Sequence, residues 1–223
     1  MNFLLNQSGV LSTTPAFAFT GLFYDCQSVV GDIDLSWLTT ENAGNAFRNE
    51  FRNTSITSVD LSGLTRIGNS MLFAGFYGCA NLTSFDLSNI TTVGNYGMRQ
   101  LFSYCTSLES AELPNLVEVN GTDGMRGAFS DCTALKNVNL KKLSTTNGTD
   151  AMENTFLNCA ALEVVDFSEA TAVPAIATTT FSHTNSTFQI VVPDALYSTW
   201  IAATNWSSRA SQIVKVSDYT PAS

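Results

Sequence analysis

The stretch Phe76-Tyr77-Gly78-Cys79-Ala80-Asn81-Leu82-Thr83-Ser84-Phe85-Asp86-Leu87-Ser88-Asn89-Ile90 decides how the rest of the chain is read. Its large apolar residues fall at fixed offsets, and the same offsets return three more times. Phe102 leads through Cys105 and Leu108 to Ala111, Leu113 and Leu116; Phe129 through Cys132 and Leu135 to Val138, Leu140 and Leu143; Phe156 through Cys159 and Leu162 to Val165, Phe167 and Ala170. The cysteines at 79, 105, 132 and 159 step by 26, 27 and 27 residues. Upstream, Cys26 follows Phe23, and Phe51 stands between with Thr54 in the cysteine slot; downstream, Phe181 with Thr184 closes the series at seven. A period of 20 to 50 residues means stacked coils that bury a common core only by piling on their neighbours. The chain is therefore expected to be a solenoid of about seven coils over residues 19–192.

Within each unit the spacing is L-x-x-L-x-L-x-x-I/L, the rhythm of a leucine-rich repeat. The period of two in Phe85-Asp86-Leu87 predicts a short strand with one buried face. Equivalent strands one coil apart pair in parallel, so a sheet should run down one side. On the other side, Met98, Met125 and Met152 precede Phe102, Phe129 and Phe156 by four residues, which predicts a short helical turn in each coil. The corners between, such as Asn120-Gly121-Thr122-Asp123-Gly124 and Asn147-Gly148-Thr149-Asp150, are turn chemistry tolerant of positive φ. The Phe-x-x-Cys-x-x-Leu unit with its following Leu/Ile-x-Leu strand resembles the BspA-like leucine-rich repeats of bacterial and protist surface proteins. The resemblance spans about residues 19–192 and implies an α/β repeat solenoid, with a parallel sheet on one face and helical turns and loops on the other.

A solenoid exposes apolar core at its ends unless capped. Residues 193–223 read as a C-terminal cap. Pro193 opens a helix, Leu196/Trp200 and Tyr197/Ile201 are i, i+4 pairs, and Gln212 to Ser217 alternates like a last strand. Trp200 and Trp206 are expected to plug the core rather than form a ligand platform. Residues 1–18 match nothing in the unit and read as an N-terminal cap or joint. Five cysteines at one coil position point the same way in every turn, the wrong geometry for bridges between coils; five free, buried thiols are expected.

Several classes of function are excluded. The net charge of −9 and ten scattered Lys and Arg leave no basic footprint for nucleic acid. No apolar run approaches the ~18 residues of a membrane span. One histidine, His183, and no C-x-x-C pair leave no metal site, and no phosphate loop or nucleophile motif occurs. No cofactor and no catalytic residue is read, so the chain is not expected to be an enzyme. The first basic residue is Arg48, so Met1-Asn2-Phe3-Leu4-Leu5 lacks the positive start of a secretory signal; the chain is read as a fragment or as particle-borne.

Repetition turns every exposed position into a column. The outward residue of the strands gives Asp34, Asp60, Asp86, Glu112, Asn139 and Asp166, five of the six acidic, about 5 Å apart. Unit charges so spaced repel by about 1 kcal/mol even in water. This column is the first candidate binding face. A second is the ridge of corners carrying Asn95, Tyr96, Asp123 and Asp150. The resemblance implies a bacterial surface protein that adheres to a macromolecular partner, outside the cell or on its surface. The alternative is a structural or receptor-binding part of an extracellular particle such as a phage tail. Oligomeric state is left open.

Overall fold

The computed structural model describes residues 21–39 and 47–221 of the chain; the expected N-terminal cap at 1–18 lies outside the described residues. The seven phenylalanines of the repeat form one continuous stack. Ring centroids from Phe23 through Phe51, Phe76, Phe102, Phe129 and Phe156 to Phe181 are 5.4, 5.5, 5.7, 5.6, 5.7 and 5.4 Å apart and nearly parallel. Around them, the leucines of the repeat (Leu82, Leu108, Leu135 and Leu162 among them) are fully buried.

The front of the stack carries short strands, all parallel: β1 (Val30–Asp34), β2 (Ser55–Asp60), β4 (Ser84–Asp86), β6 (Ser110–Glu112), β8 (Asn137–Asn139), β10 (Val164–Asp166), β11 (Gln189–Val192) and β12 (Ile213–Lys215). A second parallel sheet on the flank joins β3 (Arg66–Ile67), β5 (Thr92–Val93), β7 (Glu118–Val119) and β9 (Thr145–Thr146). The front is two sheets rather than one: β1-β2-β4, then β6-β8-β10-β11-β12. A size mismatch sits at the joint. Phe85 occupies the inward strand position that Ala111 fills one coil later. Its ring lies 4.4 Å from Phe102 and 6.1 Å from Phe129. The flank sheet and the rear ladder cross this joint without interruption.

The rear is where the structure departs from the sequence reading. The i, i+4 residues Met98 and Phe102 are both buried, as are their equivalents, but not through helical turns. Every fourth residue of the rear segment is left-handed: Tyr96, Gln100 and Tyr104 in one coil, Asp123, Gly127 and Asp131 in the next, then Asp150, Asn154 and Asn158. A helix cannot tolerate that alternation. Instead, consecutive β-turns run head to tail, with Leu101 donating to the Met98 carbonyl and Ser103 to Gln100. The intervening N–H groups reach across to the next coil, Gln100 to Arg126, Phe102 to Ala128 and Tyr104 to Ser130, at 2.8–2.9 Å. Over 96–105 and 123–132 each backbone donor is thereby used either within the turn or between coils, which spares a packed wall unpaired N–H groups. His183 takes the same left-handed place in the last coil, two residues after Phe181.

The corners are close-packed. A Cβ on Gly148 would come to 1.9 Å from the Gly121 carbonyl oxygen, and one on Gly121 to 2.1 Å from the Asn95 nitrogen. Only glycine allows coils to approach this closely there. At the C-terminal end, a 3-10 turn over Asp194–Leu196 precedes α1 (Tyr197–Ala202), so the α-helix starts four residues after the Pro193 expected to open it. Trp200 and Trp206 are fully buried against Phe167, 5.5 and 5.6 Å away, and Trp206 Nε1 donates to the Pro174 carbonyl at 2.7 Å. They offer no platform to a ligand.

All five thiols are free. Four donate in series to the phenylalanine carbonyl of the preceding coil: Cys79 to Phe51, Cys105 to Phe76, Cys132 to Phe102 and Cys159 to Phe129, at 3.0–3.2 Å. Burial pushes all four above the usual thiol range, Cys159 to about 12. The expectation of five buried thiols is corrected at one position, since Cys26 in the first coil is only half-buried. Alkylation of the native protein is accordingly expected to modify Cys26 first and leave the other four protected. In denaturant without reductant all five should react, and mass spectrometry finding three or fewer labels would contradict free thiols.

Candidate functional site

The strand register brings the acidic column together as two triplets. Asp34 aligns with Asp60 and Asp60 with Asp86 in the first sheet; Glu112 aligns with Asn139 and Asn139 with Asp166 in the second. Each Asp or Asn has a structural duty. Asp34, Asp60, Asp86 and Asp166 accept the backbone N–H of Ser36, Ser62, Ser88 and Ser168, two residues on, at 2.8–2.9 Å, ending the strand with an Asx turn. Bonds from the Ser36 hydroxyl and N–H hold the Asp34 carboxyl below its usual value. Asn139 accepts from Lys141 in the same way, at 3.3 Å, and its amide donates to Glu112 at 2.8 Å. An amide therefore still makes the turn, with a longer bond than the carboxylates make, yet the repeat holds the charge at five of six places.

The first triplet is the more strongly anionic. Asp32 lies beside it and accepts from the Thr57 and Ser58 hydroxyls, which lower its pKa, Ser58 foremost. The second triplet is tempered: Asn139 is neutral, and Lys136 pairs with Glu109 at 2.9 Å. At its far end Asp166 stands near Tyr219, whose phenol is raised by burial first and then by Asp166 and Glu163.

The corner ridge is not one surface. Asn95 is spent on the scaffold, its N–H donating to Asn69 Oδ1 at 3.0 Å and its own Oδ1 accepting from Thr122 at 2.8 Å. Asp123 is buried, its carboxylate held by Arg99 at 2.7 Å and Arg126 at 3.4 Å. Tyr96, at 36% exposure, and Asp150, whose side chain is half-exposed beside Arg126, remain accessible.

The sequence reading passed over the rear face. Arg48, Phe73, Arg99, Arg126 and Glu153 stand three residues before successive ladder phenylalanines, and Tyr24, Arg52 and Tyr77 one residue after. Arg48 lies 4.6 Å from the Phe73 ring, Arg52 4.0 Å from Tyr77, and Arg126 bonds Glu153 at 3.0 Å. Aligning the turn segments as carefully as the strands brings both rows out.

Comparison with known proteins adds the following. The family model described as "BspA type Leucine rich repeat region" matches in six copies, over residues 20–123 and 99–199. Among curated proteins none matches. Among solved structures, a leucine-rich repeat protein from Bacteroides ovatus is similar, with 17% identity and a TM-score of 0.34 over 75% of this chain and 49% of that one. The chain spans about half the length of that protein. No helix among the described residues is long and apolar enough to cross a membrane, and no group of His, Cys, Asp or Glu among them could hold a metal ion.

Proposed function

The chain belongs to the BspA-type leucine-rich repeat family, and from that premise we propose that it is a non-enzymatic interaction module, displayed outside a bacterial cell, whose strand face binds a basic patch on a protein partner. The observation that carries the reading is the in-register acidic column on a scaffold ordered by a seven-ring stack. Like charges directly opposite in a sheet are destabilising, and Asn139 shows that the turn does not need them. A face that keeps them gains long-range attraction for a cationic partner and discriminates against acidic ones. Family membership supports the coarser statement, a protein-interaction repeat; the acidic face as the contact and adhesion as the purpose are the proposal.

The test replaces Asp60 and Asp86 with Asn and Glu112 with Gln together. The amides at 60 and 86 keep the Asx turns with weaker bonds while the repulsion along the column is relieved, so the two changes offset and stability is expected to stay within about 0.5 kcal/mol of the parent. Capture of the partner from a panel of host matrix proteins, host cells and intact bacteria, with the chain multimerised on beads, should fall at least tenfold. The parent's capture should also weaken as salt rises. Capture equal to the parent's would end the reading.

A further inference from the structure

The rear wall holds a depression of about 290 Å³ across the third to sixth coils, on the opposite side from the acidic column. This lies at the low end of small-molecule sites, about 300–1,000 Å³, so it suits one ring-sized unit. Its chemistry is mixed and polar. Tyr77 and Tyr104 stand together with ring centroids 5.2 Å apart, and Tyr104 is 46% exposed. Arg52 lies over the Tyr77 ring and braces it. Arg99, Arg126, Asp131 and Asn154 line the depression with the two tyrosines.

These groups are held in place. Asp131 accepts from the Asn158 amide at 2.7 Å and the Ser130 hydroxyl at 2.6 Å. The Asp131 charge, then Tyr77, raises the Tyr104 phenol above its ordinary value. Arg99 spends one Nη on Asp123, while its buried Nε has no hydrogen-bond partner. Gln100 and Tyr104, at φ of 54° and 62°, occupy left-handed places of the tandem turns, so the repeat fixes the backbone from which both side chains project.

The chemistry excludes several occupants. Leu157 is the single aliphatic side chain in the lining, so an apolar ligand finds little to bury against. Both guanidinium groups are already met by Asp123 and Glu153, so no excess of positive charge awaits a polyanion. What remains is an aromatic face beside closely spaced donors and acceptors. The positively polarised C–H face of a pyranose is attracted to the negative face of an aromatic ring. Its vicinal hydroxyls, each donor and acceptor, match a carboxylate, a carboxamide and guanidinium N–H groups set side by side.

We propose that this rear depression, formed by Tyr77, Tyr104, Arg99, Arg126, Asp131 and Asn154, is a saccharide-binding site separate from the strand face. The site takes one sugar ring of a longer glycan, stacked on Tyr104, with its hydroxyls on Asp131 and Asn154.

The experiment applies the whole chain, multimerised and fluorescently labelled, to a glycan array containing neutral and carboxylated saccharides. The best oligosaccharide is then titrated by calorimetry against the parent, Tyr104→Ala, Tyr104→Phe and the strand-face triple variant. Expected are selective retention of a glycan class, at least tenfold weaker binding by Tyr104→Ala, near-parental binding by Tyr104→Phe, which keeps the ring, and no change in the triple variant. Saturation-transfer NMR should show ring C–H protons of the sugar receiving magnetisation in the parent and in Tyr104→Phe. Retention of no glycan, binding indifferent to Tyr104→Ala in a folded variant, or absent transfer with Tyr104→Phe overturns the proposal. Loss of protein capture rather than glycan binding in Tyr104→Ala does so too, and marks the rear face as a protein contact. Because the triple variant leaves this site intact, failure of the strand-face reading and failure of this one are separable.

Discussion

Phe129→Ala is expected to lower the unfolding free energy by about 4 kcal/mol, within the ~3–5 kcal/mol seen when a buried aromatic is truncated. The residue is fully buried, and its ring contacts Phe102 at 5.6 Å, Phe156 at 5.7 Å and Phe85 at 6.1 Å. Removing it leaves a void that neighbouring coils cannot close, because their separation is fixed by the inter-coil bonds from Phe102 to Ala128 and from Phe129 to Thr155. Domains hold only about 5–15 kcal/mol in total, so this is a large fraction. The shape of the transition should change as well. In a one-dimensional stack each coil is stabilised only by its neighbours, and a weak central coil uncouples the two halves. Urea unfolding followed by circular dichroism should therefore show a broader transition with a smaller apparent m-value than the parent. Phe23→Ala, at a half-buried ring with one ladder neighbour among the described residues, should cost far less and leave the shape unchanged. A narrow transition with a loss below about 1 kcal/mol for Phe129→Ala would mean that the stack does not carry the fold.

That stack was legible because a repeat needs only to be aligned for its columns to follow. Phe76, Phe102 and Phe129 share a phase, so they must sit above one another, and the same logic put Asp60 over Asp34 and Asp86 over Asp60 before any geometry was known. The rear wall was harder. A helix and a run of tandem turns both bring residues four apart to one side, so Met98 and Phe102 alone do not separate them. The distinguishing signal is the residue that must be left-handed: Asp123, Gly127 and Asp131, then Asp150, Asn154 and Asn158, are Asn, Asp or Gly at every fourth place. Tyr96, Gln100 and Tyr104 obscure it one coil earlier. The break in the front sheet depends on two adjacent coils differing at one position, Phe85 against Ala111, whose consequence appears only when the ring is built. The burial of Asp123 was hidden for a related reason: spacing set it on a corner, where it stands, but nothing in the spacing said that Arg99 and Arg126 would fold over it.

Stability is expected to fall as pH rises from about 4.5 to 7, with Glu50 as the main cause. The residue is 1% exposed, and Oε2 accepts the Leu22 N–H at 3.2 Å, tying the first coil to the second. Burial pushes its pKa up to about 7, against 4.5 for a free glutamate, although the N–H bonds from Leu22 and Gly21 pull the other way. The folded state thus keeps a proton that the unfolded chain releases between those two values. Folding takes up a proton across that interval, so deprotonation favours the unfolded chain and the loss is complete above about pH 7. Allowing for solvent screening near the end of the stack, its size is about 2 kcal/mol. Glu50→Gln removes the titrating charge while Oε1 can still accept from Leu22. The variant should lack this component of the pH dependence and, at pH 8, be more stable than the parent by a similar amount. Thermal unfolding at half-unit pH steps from 4.5 to 8 measures both curves. Parallel curves would show that Glu50 is ionised throughout, and a variant less stable than the parent at pH 8 would show that the carboxylate, rather than the acid, holds the first coil in place.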